Sequence, residues 1–248
     1  MKKIFAFFLF IVISSSFIVT LNVNAQTTTS SPNKALNQAE RMTDLKSRAD
    51  TEISRRITAL NKILGRLSTI KHLTDAQKVS FTTQIQNEIT TLTSLKTKID
   101  ADTDLTTLKT DVQSIVTAYR VYALFIPQIQ LVAAADRELN VADEITTLAG
   151  KLQTRIQNAQ TAGNNTATLQ ADLTDMQNKI ADAKTHANNA IALVTPLTPS
   201  GYPGNKGVMQ NARALLQTGH QDLVAAGKDA KSIIQGLRDF KTTPEPTK

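Results

Sequence analysis

The sequence predicts an all-α fold: an elongated tandem of two antiparallel three-helix bundles that share a long helix kinked at Pro127. Three observations lead there. Apolar residues recur at alternating steps of three and four along most of the chain. That is the period of a helix face against a partner, not the two-residue period of a strand. Two short patterns repeat in the same order: Ile57-Thr58-Ala59-Leu60 returns as Ile145-Thr146-Thr147-Leu148, and Ile85-Gln86-Asn87-Glu88-Ile89 returns as Met176-Gln177-Asn178-Lys179-Ile180. Between the two copies lies YRVYALFIPQIQLVAAADR, residues 119–137, which carries Tyr119, Tyr122 and Phe125 and a central proline. It is the natural joint, where the largest side chains pack together.

Residues 1–25 have the three parts of a secretory signal. Lys2 and Lys3 give a positive start, Ile4 to Val19 is a long apolar run, and Val23-Asn24-Ala25 is a small-residue cleavage site. The expected cut precedes Gln26. The alternative is a retained anchor, because Ile4–Val23 nearly spans a bilayer. Residues 26–33 (QTTTSSPN) read as a flexible leader.

The first bundle occupies 34–126. Helix one runs from about Asn33 to Ile70 with Ile53, Ile57, Leu60, Leu64 and Leu67 inward. Arg55, Arg56, Asn61, Lys62 and Arg66 fall on the opposite face. Thr74 is the expected N-cap of helix two, which buries Phe81, Ile85, Ile89, Leu92, Leu95 and Ile99 and leaves its many threonines wet. Helix three starts near Asp104 and holds the cleanest seam: Leu105, Leu108, Val112, Ile115, Tyr119, Tyr122 and Ile126. Pro127 then removes a backbone donor, and no reversal signal surrounds it, so the spacing predicts a kinked through-helix. Val121 to Ala135 is too short and too interrupted by Pro127, Gln128 and Gln130 to read as a membrane span.

The second bundle occupies 127–240. The apolar face of the joint continues through Ile129, Val132, Leu139, Leu152 and Ile156 to about Ala162. Gly163 supplies a left-handed C-cap, and Asn165 or Thr166 starts the next helix. That helix buries Leu169, Leu173, Met176, Ile180, Ala183, Ala187, Ala190 and Val194. The stretch 195–207 (TPLTPSGYPGNKG) is a non-helical connector. The last helix, from about Val208 to Phe240, turns Ala212, Leu215, Leu223, Ala226, Ala230, Ile233 and Leu237 inward. Gly219, Gly227 and Gly236 weaken it. Residues 241–248 (KTTPEPTK) read as a disordered tail. The paired units look like the tandem arrangement of spectrin repeats, a likeness of architecture alone.

The YR-x-Y-x-L-x-x-P…AADR stretch, with the signal segment and Leu95-Lys96-Thr97-Lys98-Ile99-Asp100, resembles uncharacterised secreted helical proteins of bacteria. The resemblance implies bacterial export and brings no activity or site residue.

Composition narrows the function classes. The formal charge is +7, and losing Lys2 and Lys3 with the signal lowers it by two. Lys and Arg form no run, so no nucleic-acid footprint is predicted. The chain has no cysteine, which leaves an exported protein to rely on its apolar core. Asp100, Asp102, Asp104 and Asp111 stand at calcium-loop positions, yet the turn glycine is replaced by Leu105, so they read as helix caps. His72, His186 and His220 have no metal-ligand spacing. The Gly201–Gly207 run lacks phosphate-loop spacing. No catalytic residue, cofactor or metal is expected.

The residues that stand out for contact are Tyr119, Arg120, Tyr122 and Tyr202, of which Tyr119 and Tyr122 also suit the core. The expected function is an exported, non-enzymatic spacer or protein-interaction module of the cell envelope. Its location would be periplasmic, cell-surface or extracellular, and its partner another envelope or extracellular protein, or a second copy. A small-ligand carrier or sensor binding between helices near Tyr119–Ile129 is the alternative.

Overall fold

The computed structural model describes residues 33–117 and 119–242. The signal segment, nearly all of the leader and residues 243–248 of the tail lie outside the described residues. Those described are 88% helical with no strand, so the fold is all-α. In order they form α1 (Asn33–Leu67), α2 (Asp75–Ala101), α3 (Leu105–Thr117), a π-helical turn (Val121–Phe125), α4 (Ile126–Thr161), α5 (Ala167–Val194), a 3-10 turn (Pro199–Gly201) and α6 (Asn205–Thr242). The last helix therefore takes in Lys241 and Thr242, which the sequence assigned to the tail.

Local chemistry explains most of the boundaries. Thr74 caps α2: its hydroxyl accepts from the Gln77 N–H, and the Gln77 side chain accepts from the Thr74 N–H. Asp104 opens α3 by accepting from the Thr107 N–H at 2.8 Å. Gly163 adopts φ +87° beyond the end of α4, the left-handed cap expected of it. The threonines of α2 are poor helix formers. There, Thr90, Thr91, Thr93 and Thr97 donate to the carbonyls of Gln86, Asn87, Ile89 and Thr93 and point to solvent. Each hydroxyl is thus satisfied without leaving the helix.

The joint differs from the expected kink at Pro127. The break lies upstream. α3 stops at Thr117, Arg120 takes a left-handed conformation at φ 41°, and the wide turn Val121–Phe125 leads into α4. Pro127 falls in the first turn of α4, where a missing N–H costs nothing and its fixed φ suits the helix. The interruption shifts the helical phase. Leu108 and Ile115 are buried as the α3 seam requires, but beyond it the buried residues are Val121, Leu124 and Phe125, and Tyr122 is 39% exposed.

α1, α2 and α3 pack pairwise, and so do α4, α5 and α6, with α1 also touching α4 and the π-helical turn. The apolar cores divide elsewhere than at Pro127. One core joins α1–α3 and the turn to Ile129–Leu139 of α4, Ala187–Val194 of α5 and Met209–Leu216 of α6. The other holds Ala142–Ile156, Leu169–Ala183 and Leu223–Leu237. The reason is geometric: antiparallel α5 and α6 return alongside the start of α4, so their near ends meet the first three helices. By composition, the Leu105–Thr161 stretch contains a window long and apolar enough to cross a membrane. Its residues Val121, Leu124, Phe125, Ile129 and Val132 are instead core, at 2% exposure or less. Each such side chain contributes about 1.5–3 kcal/mol by leaving water.

Two seams run differently in detail. On α1 the buried row is Ala49, Ile53, Arg56, Leu60, Ile63 and Leu67, with Ile57 and Leu64 half-buried. Arg56, assigned above to the wet face, is 5% exposed and paired with Glu52 one turn back. On α2 the row is Phe81, Ile85, Glu88, Leu92, Leu95 and Ile99. The carboxyl residue Glu88 takes the place expected for Ile89.

Candidate contact cleft at the α3–α4 break

The break that displaces Tyr122 also opens a cleft of about 620 Å³. It is lined by Glu88 and Thr91 of α2, Thr117, Tyr119 and Arg120 of the break, and Pro199, Ser200 and Tyr202 of the α5–α6 connector. Three of the four contact residues singled out in the sequence, Tyr119, Arg120 and Tyr202, therefore share one site. Tyr122 does not join them. It points away, with the guanidinium groups of Arg55 and Arg56 at 5.4 and 5.1 Å from its ring centre.

The connector is held in place by side chains that satisfy its backbone. Buried Gln128 donates to the Val194 carbonyl at 2.6 Å, and Gln84 donates to the Thr195 carbonyl at 3.2 Å. Asn205, 5% exposed, donates to the Thr198 carbonyl at 2.7 Å. A Cβ on Gly201 would come within 2.5 Å of the Asn205 Oδ1, so this position needs glycine. Thr198 and Ser200 hydroxyls meet at 2.9 Å. Tyr202 is thus carried on an anchored loop and not on a loose tip.

The charges in the cleft are unevenly partnered. The Arg120 guanidinium lies 4.3 Å from the centre of the Tyr202 ring, and the Lys206 Nζ lies 5.0 Å from it. The hydrogen bond from Lys206, with the two positive charges, holds the Tyr202 phenol below its usual range. The Arg120 Nε is buried without a hydrogen-bond partner. Opposite them Glu88 is 8% exposed, and its Oε1 has no hydrogen-bond partner. Burial pushes its carboxyl up to about 8, so at neutral pH it is mostly un-ionised, both donor and acceptor. Burial, helped by the nearby Glu88, raises the Tyr119 phenol, whose hydroxyl donates to the Thr91 carbonyl at 3.4 Å.

Three of the four aspartates at calcium-loop positions have structural partners, and the fourth, Asp102, keeps a buried Oδ2 without one. Asp111 pairs with Lys98 at 2.8 Å and Asp100 with Lys96 at 3.5 Å, while Asp104 caps α3. Among the described residues no group of three His, Cys, Asp or Glu side chains is placed to hold a metal. His72 is half-buried between two carboxylates. Its Nδ1 lies 2.8 Å from Asp136 and its Nε2 lies 3.1 Å from Asp143, which in turn pairs with Lys184 at 2.8 Å.

Sequence reasoning missed Glu88, Thr91, Thr117, Pro199 and Ser200. A signal for Glu88 was present: the row Phe81, Ile85, Leu92, Leu95, Ile99 has one vacant step, and Glu88 fills it at the four-three spacing. An acid on an apolar seam is uncommon enough to mark a site. No protein-family model, curated protein or solved structure matches the chain.

Proposed function

We propose that the protein is an exported, non-enzymatic spacer or protein-interaction module of the bacterial cell envelope, and that it makes contact through the cleft at the α3–α4 break. The observation that carries the reading is the convergence of Tyr119, Arg120 and Tyr202 from two separate segments onto one open surface. Tyr and Arg are the residues that most often anchor binding surfaces. The test is capture from an envelope extract with the full-length protein as bait. Wild type recovers a partner protein in stoichiometric amount, and Tyr202→Ala and Arg120→Gln lose it. Equal recovery by all three would remove the cleft from the reading.

A second reading, a small-ligand carrier or sensor, is favoured by the size of the cleft. Ligand sites span about 300–1,000 Å³, and this one has about 620 Å³. The carrier site moves outward from the place first expected, since Leu124, Phe125, Gln128 and Ile129 are closely buried. Native mass spectrometry of gently purified protein separates the readings: retained small-molecule mass supports the carrier.

A further inference from the structure

We propose that the cleft is a binding site for a small hydroxylated carboxylic acid, of the sugar-acid class, with its carboxylate against Arg120 and its hydroxyls toward Glu88. The proposal deepens the carrier reading and rests on it. Two features other than the cavity support it. Arg120 has no carboxylate partner among the described residues, and its neighbour Lys206 has none either. A cation held over a ring and left without a counter-ion is a ready receptor for an anion. The second feature is Glu88, more than nine-tenths buried, with an unpartnered oxygen lining the same cleft. A buried polar atom without a partner costs free energy that a ligand group recovers.

The sign of the ligand charge follows from the neighbours. Glu88 shares the cleft with Tyr119, Arg120 and Tyr202; Lys206 lies over the Tyr202 ring, and beyond Tyr119 stand the mutually paired Lys98 and Asp111. The unpaired charges are both positive, so an amine ligand is disfavoured. Glu88 in its un-ionised form does not repel an anion and can donate a hydrogen bond to a ligand hydroxyl. The Thr91 and Thr117 hydroxyls, which donate to the Asn87 and Gln113 carbonyls, keep lone pairs that accept from a polyol.

The charge sign has a proton signature. Glu88 titrates near pH 8 in the empty protein. A carboxylate bound beside it favours the protonated form, so binding takes up protons near that pH, whereas an amine ligand would release them. The experiment is titration calorimetry of the full-length protein with D-glucuronate, glucose, glucosamine and inorganic phosphate, in two buffers of different ionisation enthalpy. The expected result is glucuronate bound about tenfold or more tightly than any of the other three, with proton uptake near pH 8. Arg120→Gln loses about tenfold in glucuronate affinity. Glu88→Gln, a neutral isostere, abolishes the proton uptake. Glucuronate that fails to bind, phosphate or glucose that binds equally, or proton release would each overturn the proposal. If glucuronate fails while the Tyr202 variant still loses its captured protein, the ligand class is wrong and the cleft stands as a protein contact. If both fail, the cleft reading fails as well.

Discussion

Asp136 is the side chain whose removal tests the largest number of contacts at once. Its Oδ1 accepts from the Lys71 N–H and the His72 N–H, both at 2.9 Å, and meets the His72 Nδ1 at 2.8 Å. Asn140 reaches the same carboxylate from one turn along α4, at 3.3 Å. The α1–α2 turn is thus fastened to α4 by one group that is 9% exposed. Asp136→Ala strands three donors. A fully buried donor without a partner costs about 1–3 kcal/mol, but water reaches part of this turn, so the sum is about 2–4 kcal/mol. For a chain of this size that lowers Tm by about 5–15 °C. Asp136→Asn keeps an oxygen acceptor and loses the charge, at about 1–2 kcal/mol.

The pH dependence of the Asn variant separates charge from shape. Burial opposes protonation of His72, but Asp136 and Asp143 outweigh it and raise its pKa above the ordinary 6.5. A raised His stabilises fully below 6.5, and the gain is lost as pH rises through the folded value. Burial likewise opposes ionisation of Asp136, but the two N–H groups and the imidazole hold it below the ordinary 3.8. That gain is present above 3.8 and is lost as pH falls through the folded value. Both contributions coexist between the two ranges. Urea melts of wild type and Asp136→Asn at about pH 5.5 and about pH 8.5 should therefore differ, with the larger loss at the lower pH. A loss that is equal at both, or greater at the higher pH, would refute the ion-pair argument. Asp136→Ala melting within about 1 °C of wild type would refute the fastening itself.

Three further outcomes follow from the same geometry. A Cβ at Gly227 meets nothing within 4 Å, whereas at Gly219 it would lie 3.3 Å from the Ala183 carbonyl and 3.1 Å from Glu138. Gly227→Ala should raise stability by about 0.5–1 kcal/mol by helix propensity, and Gly219→Ala should gain less or lose; the order of the two melting curves decides. Phe125→Ala should cost about 3–5 kcal/mol and Tyr122→Ala under about 1 kcal/mol. Similar costs for both would place the phase shift of the joint in error. Glu88 has its folded pKa raised, so the unfolded state sheds its proton first and stability falls as pH climbs from 4.5 toward about 8. Glu88→Gln should remove that slope and melt above wild type at pH 8, with little difference near pH 4; an unchanged slope counts against a buried acid.

The helices and their seams were legible because burial and period coincide. Every inward residue expected on α5, from Leu169 to Val194, is buried. What escaped was set by single residues that break a regular row. Arg120 ends the α3 phase by entering the left-handed region, which nothing in YRVY announces, since an Arg there is usually helical. Pro127, which the sequence marks as the kink, is neutral, because Pro in a first turn costs nothing. Of the cleft, Tyr119, Arg120 and Tyr202 could be named from residue type. Their meeting required the long-range return of the connector, held by Gln84, Gln128 and Asn205. Glutamine and asparagine give no sequence signal for such a task.

The same logic explains where the apolar interior divides. The α6 seam keeps its four-three step through Met209, Ala212, Leu216, Gly219, Leu223 and Ala226. At Gly219 the row has a place but no side chain. Facing it are Glu138 of α4, pushed up to about 7 by burial, and His186 of α5, whose Nε2 lies 3.6 Å from Asp222. Below this layer the core ends at Leu139, Ala187 and Leu216, and above it the next begins at Ala142, Ala183 and Leu223. A polar layer between α4, α5 and α6 thus interrupts a continuous heptad packing. Its buried Glu138 Oε2, His186 Nδ1 and Asp222 Oδ2 lack hydrogen-bond partners, and each such atom costs stability where a leucine would add it. The layer also fixes alignment, since sliding α6 by one turn, three or four residues, would set Leu216 or Leu223 against Glu138. The helices give up cohesion at one level and gain a single register along their length. That register is what carries the connector, and with it Tyr202, to the break beside Arg120.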